Sequence, residues 1–230
     1  MASKLDLYDY EKYLPDKLGD RGVVLYIHKS LTAFKVDILS DSDFSEFVWC
    51  EISLRGTDKL LVGCIYRSPS SSKDNNKKLN DLVSKTRYLK YSHYLIMGNF
   101  NYPEIDWLKN EVMGNRQSDA LKKIDCVLEN FLFQHICSPT GIRTDQTSNI
   151  LDLVFTNEEG MIIKDSIKTD SPVGKSDHCM INFEFCCYIE DETFSRDRFS
   201  YFKGNYRDFS DHLNDVDWDN LFDEKSVDEM

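Results

Sequence analysis

The sequence predicts a mixed α+β sandwich, on three observations. Short apolar segments rich in β-branched and aromatic residues recur from Gly22 to Arg67, at Tyr94–Met97, at Ile150–Thr156 and from Met161 onward. Helical periodicity is confined to a few stretches, the clearest over Ser118–Phe131. Several consecutive strands are joined by turns short enough for hairpins, which argues against a parallel doubly wound sheet.

Residues 1–20 carry scattered Tyr and Leu and read as a lead-in with little regular structure. Strands are expected at Gly22–His28 and Thr32–Leu39. Glu46–Leu54 alternates, with Val48, Cys50, Ile52 and Leu54 on one face, and RGTDK turns it into Leu60–Arg67 as an antiparallel hairpin. SPSSSKDNN is a turn-rich loop, and Lys77–Lys90 is expected to be helical. Tyr94–Met97 is a short buried strand without charge. In Ser118–Phe131, Ser118 can cap a helix, and Leu121, Ile124, Val127, Leu128 and Phe131 form an apolar face. Ile150–Thr156, Met161–Thr169 and Cys179–Ile189 read as strands. From Glu190 the chain turns acidic, with an amphipathic helix expected over Tyr206–Phe222.

A content of 41% hydrophobic residues, with 14 Phe, 12 Tyr and 3 Trp among 230 residues, supports a real core and excludes a disordered chain. No apolar run approaches the roughly 20 residues of a membrane span. The start, MASKLDLYDYEKYL, is too charged for a signal peptide, so an intracellular protein is expected. The 7 cysteines form no CxxC pair and read as reduced core thiols. Net charge is −12, but residues 190–230 hold 13 acidic and 5 basic side chains, leaving only −4 for the rest. Within that remainder Arg67–Lys90 holds seven basic residues against Asp74 and Asp81. Such a surface attracts phosphates, although a solvated helix face explains the charge equally well.

Three polar clusters lie in, or at the ends of, apolar strands: Asn99 and Asn101 around Phe100, Asp152, and Ser176-Asp177-His178. Gly98 breaks the Tyr94–Met97 strand, and polar groups just past the carboxyl end of a strand are where α/β proteins handle ligands. Asp152 sits inside ILDLVF, where a carboxylate is expensive to bury without a partner. A histidine suits it, because accepting from one ring nitrogen fixes the tautomer and raises the basicity of the other. Asp177 offers an oxygen ligand beside His178, and the set suits metal-assisted attack on a phosphodiester. Each cluster alone has an ordinary reading as a turn, an edge-strand residue facing water or a polar loop.

As a set, YRSP at Tyr66–Pro69, GNFNYPEIDW at Gly98–Trp107, LDLVFTN at Leu151–Asn157 and SDH at Ser176–His178 resemble the successive motifs of the endonuclease/exonuclease/phosphatase superfamily. Within it the chain is most similar to the endonuclease domain of LINE-type (non-LTR) retrotransposon polyproteins. The resemblance covers about residues 20–190. It implies a four-layer α/β/β/α sandwich of the deoxyribonuclease I-like type, with the site at one sheet edge. The implied divisions are a lead-in remnant over 1–20, the endonuclease-like domain over 21–189 and an acidic connector over 190–230, which leads toward a reverse transcriptase in the parent polyprotein.

The resemblance also implies roles. Tyr66 would lie against the scissile phosphate, and Asn101 would orient the nucleophile or a phosphate oxygen. Asp152 would pair with His178, which supports the phosphate's developing charge. Arg67, Thr140 and Ser176 would contact substrate, and Asp177 would be a metal or water ligand. The implied cofactor is Mg²⁺, with Mn²⁺ as substitute, the partner is the DNA backbone, and the reaction is strand nicking by water.

Two departures bear on activity. The family pattern has Asp where this chain has Asn99, and an amide cannot activate water or add charge toward a metal. The family also opens with strands bearing an Asn and a metal-binding Glu, whereas Glu11 is the sole Glu before Gly22 and stands in another context. The expectation is an N-terminally shortened, impaired or inactive endonuclease domain. A catalytically dead nucleic-acid- or protein-binding module and a small-molecule phosphodiesterase or phosphatase of the same superfamily stay open.

Overall fold

The computed structural model describes residues 7–16, 22–36, 44–113, 118–141, 149–189 and 205–218. Two compact units divide the chain, Met1–Glu190 and Asp191–Met230. The first contains β1 (Tyr10–Tyr13), β2 (Leu25–His28), β3 (Ala33–Lys35), β4 (Phe47–Ser53), β5 (Lys59–Tyr66), α1 (Lys73–Thr86), β6 (His93–Asn99), β7 (Ile105–Asp106), β8 (Glu111–Val112), α2 (Asp119–Glu129), β9 (Phe133–Gln134), β10 (Asp152–Thr156), β11 (Lys168–Asp170) and β12 (Met180–Asn182). The second contains α3 (Tyr206–Asn214).

The first unit is built on a six-stranded sheet of order β3-β4-β5-β6-β10-β9. Its pairings are antiparallel except β5 with β6, which run parallel because α1 carries the chain back between them. The sheet's two faces follow from period-two alternation. One presents Trp49, Leu61, Ile65, Ile96, Leu153 and Phe155 to α1 and α2. The other presents Val48, Cys50, Ile52, Val62, Leu95 and Val154 to a second β layer. That layer consists of the β1-β2 and β11-β12 pairs and an isolated bridge between Ile162 and Phe185. A helical layer and two β layers are thus present. Among the described residues of this unit no α-helix beyond α1 and α2 supplies the fourth layer. The expected face of Val48, Cys50, Ile52 and Leu54 lies in the second core, as alternation required.

Several boundaries differ from expectation, each for a local reason. Residues 1–20 contribute β1, whose Tyr13 is buried and pairs opposite Leu25. α1 begins four residues early because the Ser72 side chain accepts from Asn75 N at 3.2 Å, so the turn-rich loop holds the cap. Ser118 caps α2 as expected, accepting from Leu121 N. The inward stripe of α2, however, is Ala120, Lys123, Ile124 and Val127, while Leu128 and Phe131 are exposed. Phe131 lies past the helix end at φ 54°, where helical periodicity no longer applies.

The expected strand Met161–Thr169 is interrupted by 3₁₀ turns at Glu159–Met161 and Lys164–Ser166, and in the second the Ser166 hydroxyl donates to Ile163 O at 2.6 Å, offering the backbone an alternative to a strand. Cys179–Ile189 shortens to β12, since its partner β11 is only three residues long. All seven cysteines are free. Cys50 and Cys126 are buried, but Cys137 and Cys186 are exposed and are not core thiols. In the second unit α3 is capped by Asn205 and buries no residue. The expected continuation of that helix to residue 222 runs beyond the described residues.

Candidate active site

A single row of strand residues organises the site. Tyr66 on β5 is in register with Asn99 on β6, and Asn99 with Asp152 on β10. Register and alternation place all three on the face that carries Val62, Leu95 and Val154. The row sits at the carboxyl ends of β5 and β6, where Gly98 has φ 143°. A Cβ on Gly98 would stand 1.9 Å from the Ile65 carbonyl oxygen, so glycine alone allows β5 and β6 to approach here.

The row's carboxylate has the partner its burial demands. His178 Nδ1 lies 2.6 Å from Asp152 Oδ2, with the two side chains 23% and 19% exposed. On the other side of the ring, His178 Nε2 is 3.5 Å from Asn99 Nδ2, at the far edge of hydrogen-bond range. The Asn99 amide is oriented independently, because its Oδ1 accepts from Asn101 N at 3.1 Å. Its N–H groups therefore face Nε2. The ring accepts there and donates Nδ1–H to Asp152. Asp177 Oδ1 lies 3.8 Å from Nε2.

Thr140, expected to touch substrate, is fully buried. Its hydroxyl accepts from Leu151 N at 3.0 Å and from Asp152 N at 2.9 Å, and its carbonyl accepts from Cys179 N at 2.8 Å. Gly141 bridges both Asn149 and His178. Thr140 and Gly141 thus tie the strand bearing Asp152 to the loop bearing His178, and the buried hydroxyl is out of a substrate's reach. Ser176 shapes the same loop: its Oγ accepts from His178 N at 3.0 Å and donates to His178 O at 3.2 Å.

Arg67 is likewise turned inward, only 6% exposed. Its Nε donates to Asn76 Oδ1 at 2.7 Å and its Nη1 to Asn101 O at 2.6 Å and Phe100 O at 3.3 Å. The guanidinium stacks 3.9 Å over the Tyr102 ring. Asn76 also donates to Asp119 Oδ2 at 2.9 Å, and that bond holds the Asp119 carboxyl below its ordinary range. The buried cation is therefore linked to a carboxylate through one amide, and it holds the GNFN loop from beneath. Asn101, at φ 50°, donates Nδ2 to Arg67 O at 2.7 Å. Nothing in the sequence marked Asn76, which reads there as an ordinary residue near a helix start.

An open cleft of about 210 Å³ runs past these groups, lined by Arg67, Asn101, Glu104, Asn149, Asp177 and His178 among others. Asn99 and Asp152 reach it through the His178 ring. Glu11 lies on β1 opposite Ile27, where it accepts from the Tyr13 hydroxyl. Among the described residues no three His, Cys, Asp or Glu side chains converge on one point. The described residues thus supply no preformed three-ligand set for a divalent ion.

Residues 60–182 match the family model described as "Endonuclease-reverse transcriptase". A search of curated proteins returns no match. Among solved structures, the endonuclease domain of TRAS1, a telomere-specific non-LTR retrotransposon, superposes with a TM-score of 0.58 at 15% identity, over 78% of this chain and 79% of that one. The 3′ phosphatase NExo from Neisseria, bound to a product DNA hairpin, gives 0.49 at 13% identity over 77% and 80%. An endonuclease/exonuclease/phosphatase family protein from Bacteroides thetaiotaomicron gives 0.47 at 15% identity over 77% and 73%. The likeness to TRAS1 shows a shared fold, and the family match spans more than half of the chain, from the first residues of β5 to the last of β12. The chain belongs to the endonuclease-reverse transcriptase family and has the deoxyribonuclease I-like fold of the endonuclease/exonuclease/phosphatase superfamily.

Proposed function

We propose that this chain is a phosphodiester-cleaving DNA endonuclease domain whose Asp152–His178 pair is intact and whose activity is impaired at Asn99. The carrying observation is the contact set of His178, held by Asp152 at 2.6 Å on one side and faced by the Asn99 amide at 3.5 Å on the other. Asp152 fixes the ring and its tautomer. Once His178 is protonated at both ring nitrogens, Nε2–H would donate toward a phosphodiester oxygen in the cleft, in place of accepting from the Asn99 amide. Tyr66 stands in the same row, and Asp177 beside the ring can position water. An aspartate at position 99 would accept from Nε2–H, whereas the amide offers only N–H there and carries no base. Losing such a group commonly costs roughly 10²–10⁴-fold in rate.

The test is nicking of supercoiled plasmid in Mg²⁺ by wild type, Asn99→Asp and His178→Ala. Asn99→Asp is expected to exceed wild type by roughly 10²-fold or more, and His178→Ala to remain silent in either background. Equal silence of folded wild type and Asn99→Asp would remove the enzyme reading. Asn99 also favours a second reading, a nucleic-acid-binding module that uses the same cleft without cleavage. Salt-sensitive duplex binding without nicking in either form would establish that one.

A further inference from the structure

Phe131 occupies a position that normally takes glycine. After the C-cap Asn130, Phe131 N donates to Leu128 O at 3.0 Å and Leu132 N to Val127 O at 3.0 Å, the paired bonds of a left-handed helix-ending turn. Phe131 adopts φ 54° and leaves 71% of its surface exposed. The backbone is strained for a bulky residue, and most of the ring is open to solvent. Strain kept at an exposed aromatic points to a use outside folding.

Its surroundings indicate the use. The Arg87 guanidinium lies 5.8 Å from the Phe131 ring centroid and 5.8 Å from that of Tyr88, itself 78% exposed. Arg87 Nη1 donates to Glu129 O at 3.3 Å, which fixes the cation between the two rings. Lys85 and Lys90, close to it in sequence, are exposed as well. On the same helix Lys77 pairs with Asp81 and Lys78 with Asp74, whereas Lys85, Arg87 and Lys90 form no ion pair among the described residues. Glu129, whose carbonyl accepts from Arg87, is itself exposed and adds a carboxylate to this region. The surface lies at the other end of the sheet from the cleft. Tyr94 OH at the start of β6 donates to Thr86 O and Leu89 O, and Phe133 pairs with Thr156 at the end of β10. From Tyr94 to Asn99 is about 17 Å at roughly 3.3 Å per strand residue.

Exposed rings interleaved with unpaired cations are the arrangement that stacks unpaired bases and neutralises the phosphates between them. A duplex hides its base faces, and an acidic peptide has none, so the rings select a single strand. We propose that the surface formed by Phe131, Arg87 and Tyr88 binds a single-stranded polynucleotide, separately from the cleft. It does not depend on whether the cleft cleaves.

The test uses the full chain with 5′-labelled oligo-dT and oligo-U, by fluorescence anisotropy in EDTA. Phe131→Gly is expected to weaken binding about 10-fold while leaving Tm unchanged or raised, since glycine relieves the left-handed backbone. Tyr88→Ala is expected to weaken it to a similar degree, and Lys77→Ala to leave it unchanged. The ratio of the oligo-dT and oligo-U affinities shows which polymer is preferred, and binding of either that Phe131→Gly and Tyr88→Ala weaken supports the assignment. Wild-type affinity in both Phe131→Gly and Tyr88→Ala would overturn it, as would absence of binding. Displacement of the oligonucleotide by duplex or polyglutamate as readily as by unlabelled single strand would also overturn it, in favour of a protein partner or a diffuse field. Plasmid nicking reads the cleft and anisotropy of these variants reads the ring surface, so either assignment can fail alone.

Discussion

Lys123 is the side chain whose chemistry fits its place least well. It lies on the inward stripe of α2, fully buried, with Nζ making no hydrogen bond among the described residues and lying 4.9 Å from the Phe100 ring centroid. Burial pushes its pKa down, with the Arg67 cation adding to the effect and Cys126 opposing it. The folded chain therefore holds this proton less tightly than the unfolded chain. Stability gains from that difference as pH rises toward the ordinary lysine range, and the cost is fully present below the folded-state value. Lys123→Met keeps the length and removes the buried amine. It is expected to raise stability by about 1–3 kcal/mol near neutral pH, with the advantage shrinking toward pH ~10. Urea midpoints of the two proteins at several pH values check this; an advantage independent of pH would show that packing, not charge, is what changed.

Among the elements, the β5–β6 pair decides whether the site exists. Its parallel register brings Tyr66 beside Asn99, and the antiparallel register of β10 then brings Asp152 beside Asn99. Both depend on the close approach at Gly98, opposite Ile65. Gly98→Ala forces the new methyl against a backbone carbonyl, which cannot rotate away as a side chain could. The expected cost is about 3 kcal/mol, read as a drop in Tm. Nicking by an Asn99→Asp protein should be lost with it, because the row is broken. A substitution that left both intact would mean that β5 and β6 can separate without disturbing the row. Gly63 has a comparable but softer reason: a Cβ there would stand 2.3 Å from the Trp49 ring.

For the molecule as a whole, the buried acidic protons set the alkaline limit. Burial raises the Cys50 thiol to about 12 and the Cys64 thiol to about 11. It raises the Tyr102 hydroxyl to about 12, with Arg67 opposing, and the Tyr91 hydroxyl to about 12, with its hydrogen bond to the Glu51 carboxylate adding to it. The unfolded chain loses these protons near the ordinary values, roughly 8.5 for Cys and 10 for Tyr. Above those values the unfolded state binds fewer protons than the folded one, so stability falls as pH rises. The contribution is complete below pH ~8.5. Four such groups oppose the single gain from Lys123, so the net change is a loss. Denaturation monitored from pH 7 to 11 should show a midpoint that declines above about pH 9; a flat or rising midpoint would contradict the assignment.

Much of this protein was legible before its structure. Alternation assigned the faces of β4, Ser118 marked the start of α2, and the order of the YRSP, GNFN, LDLVF and SDH segments named the superfamily. These signals are local, and each rests on spacing or on one side chain bonding its own backbone. The demand of Asp152 for a partner was also readable, because a carboxylate inside an apolar strand has few affordable alternatives. Distance along the chain hid the rest. Thr140 and Arg67 looked like groups offered to a substrate, yet one bonds amides 11 and 12 residues away and the other carbonyls 33 and 34 residues away. A polar side chain faces inward only when the fold brings enough backbone partners to replace water, and sequence spacing does not count those partners. For the same reason the inward turn of Lys123 and the exposed ring of Phe131 emerged only when the packing of α2 was seen: helical period sets angle around an axis, but neighbouring elements decide which angle is buried.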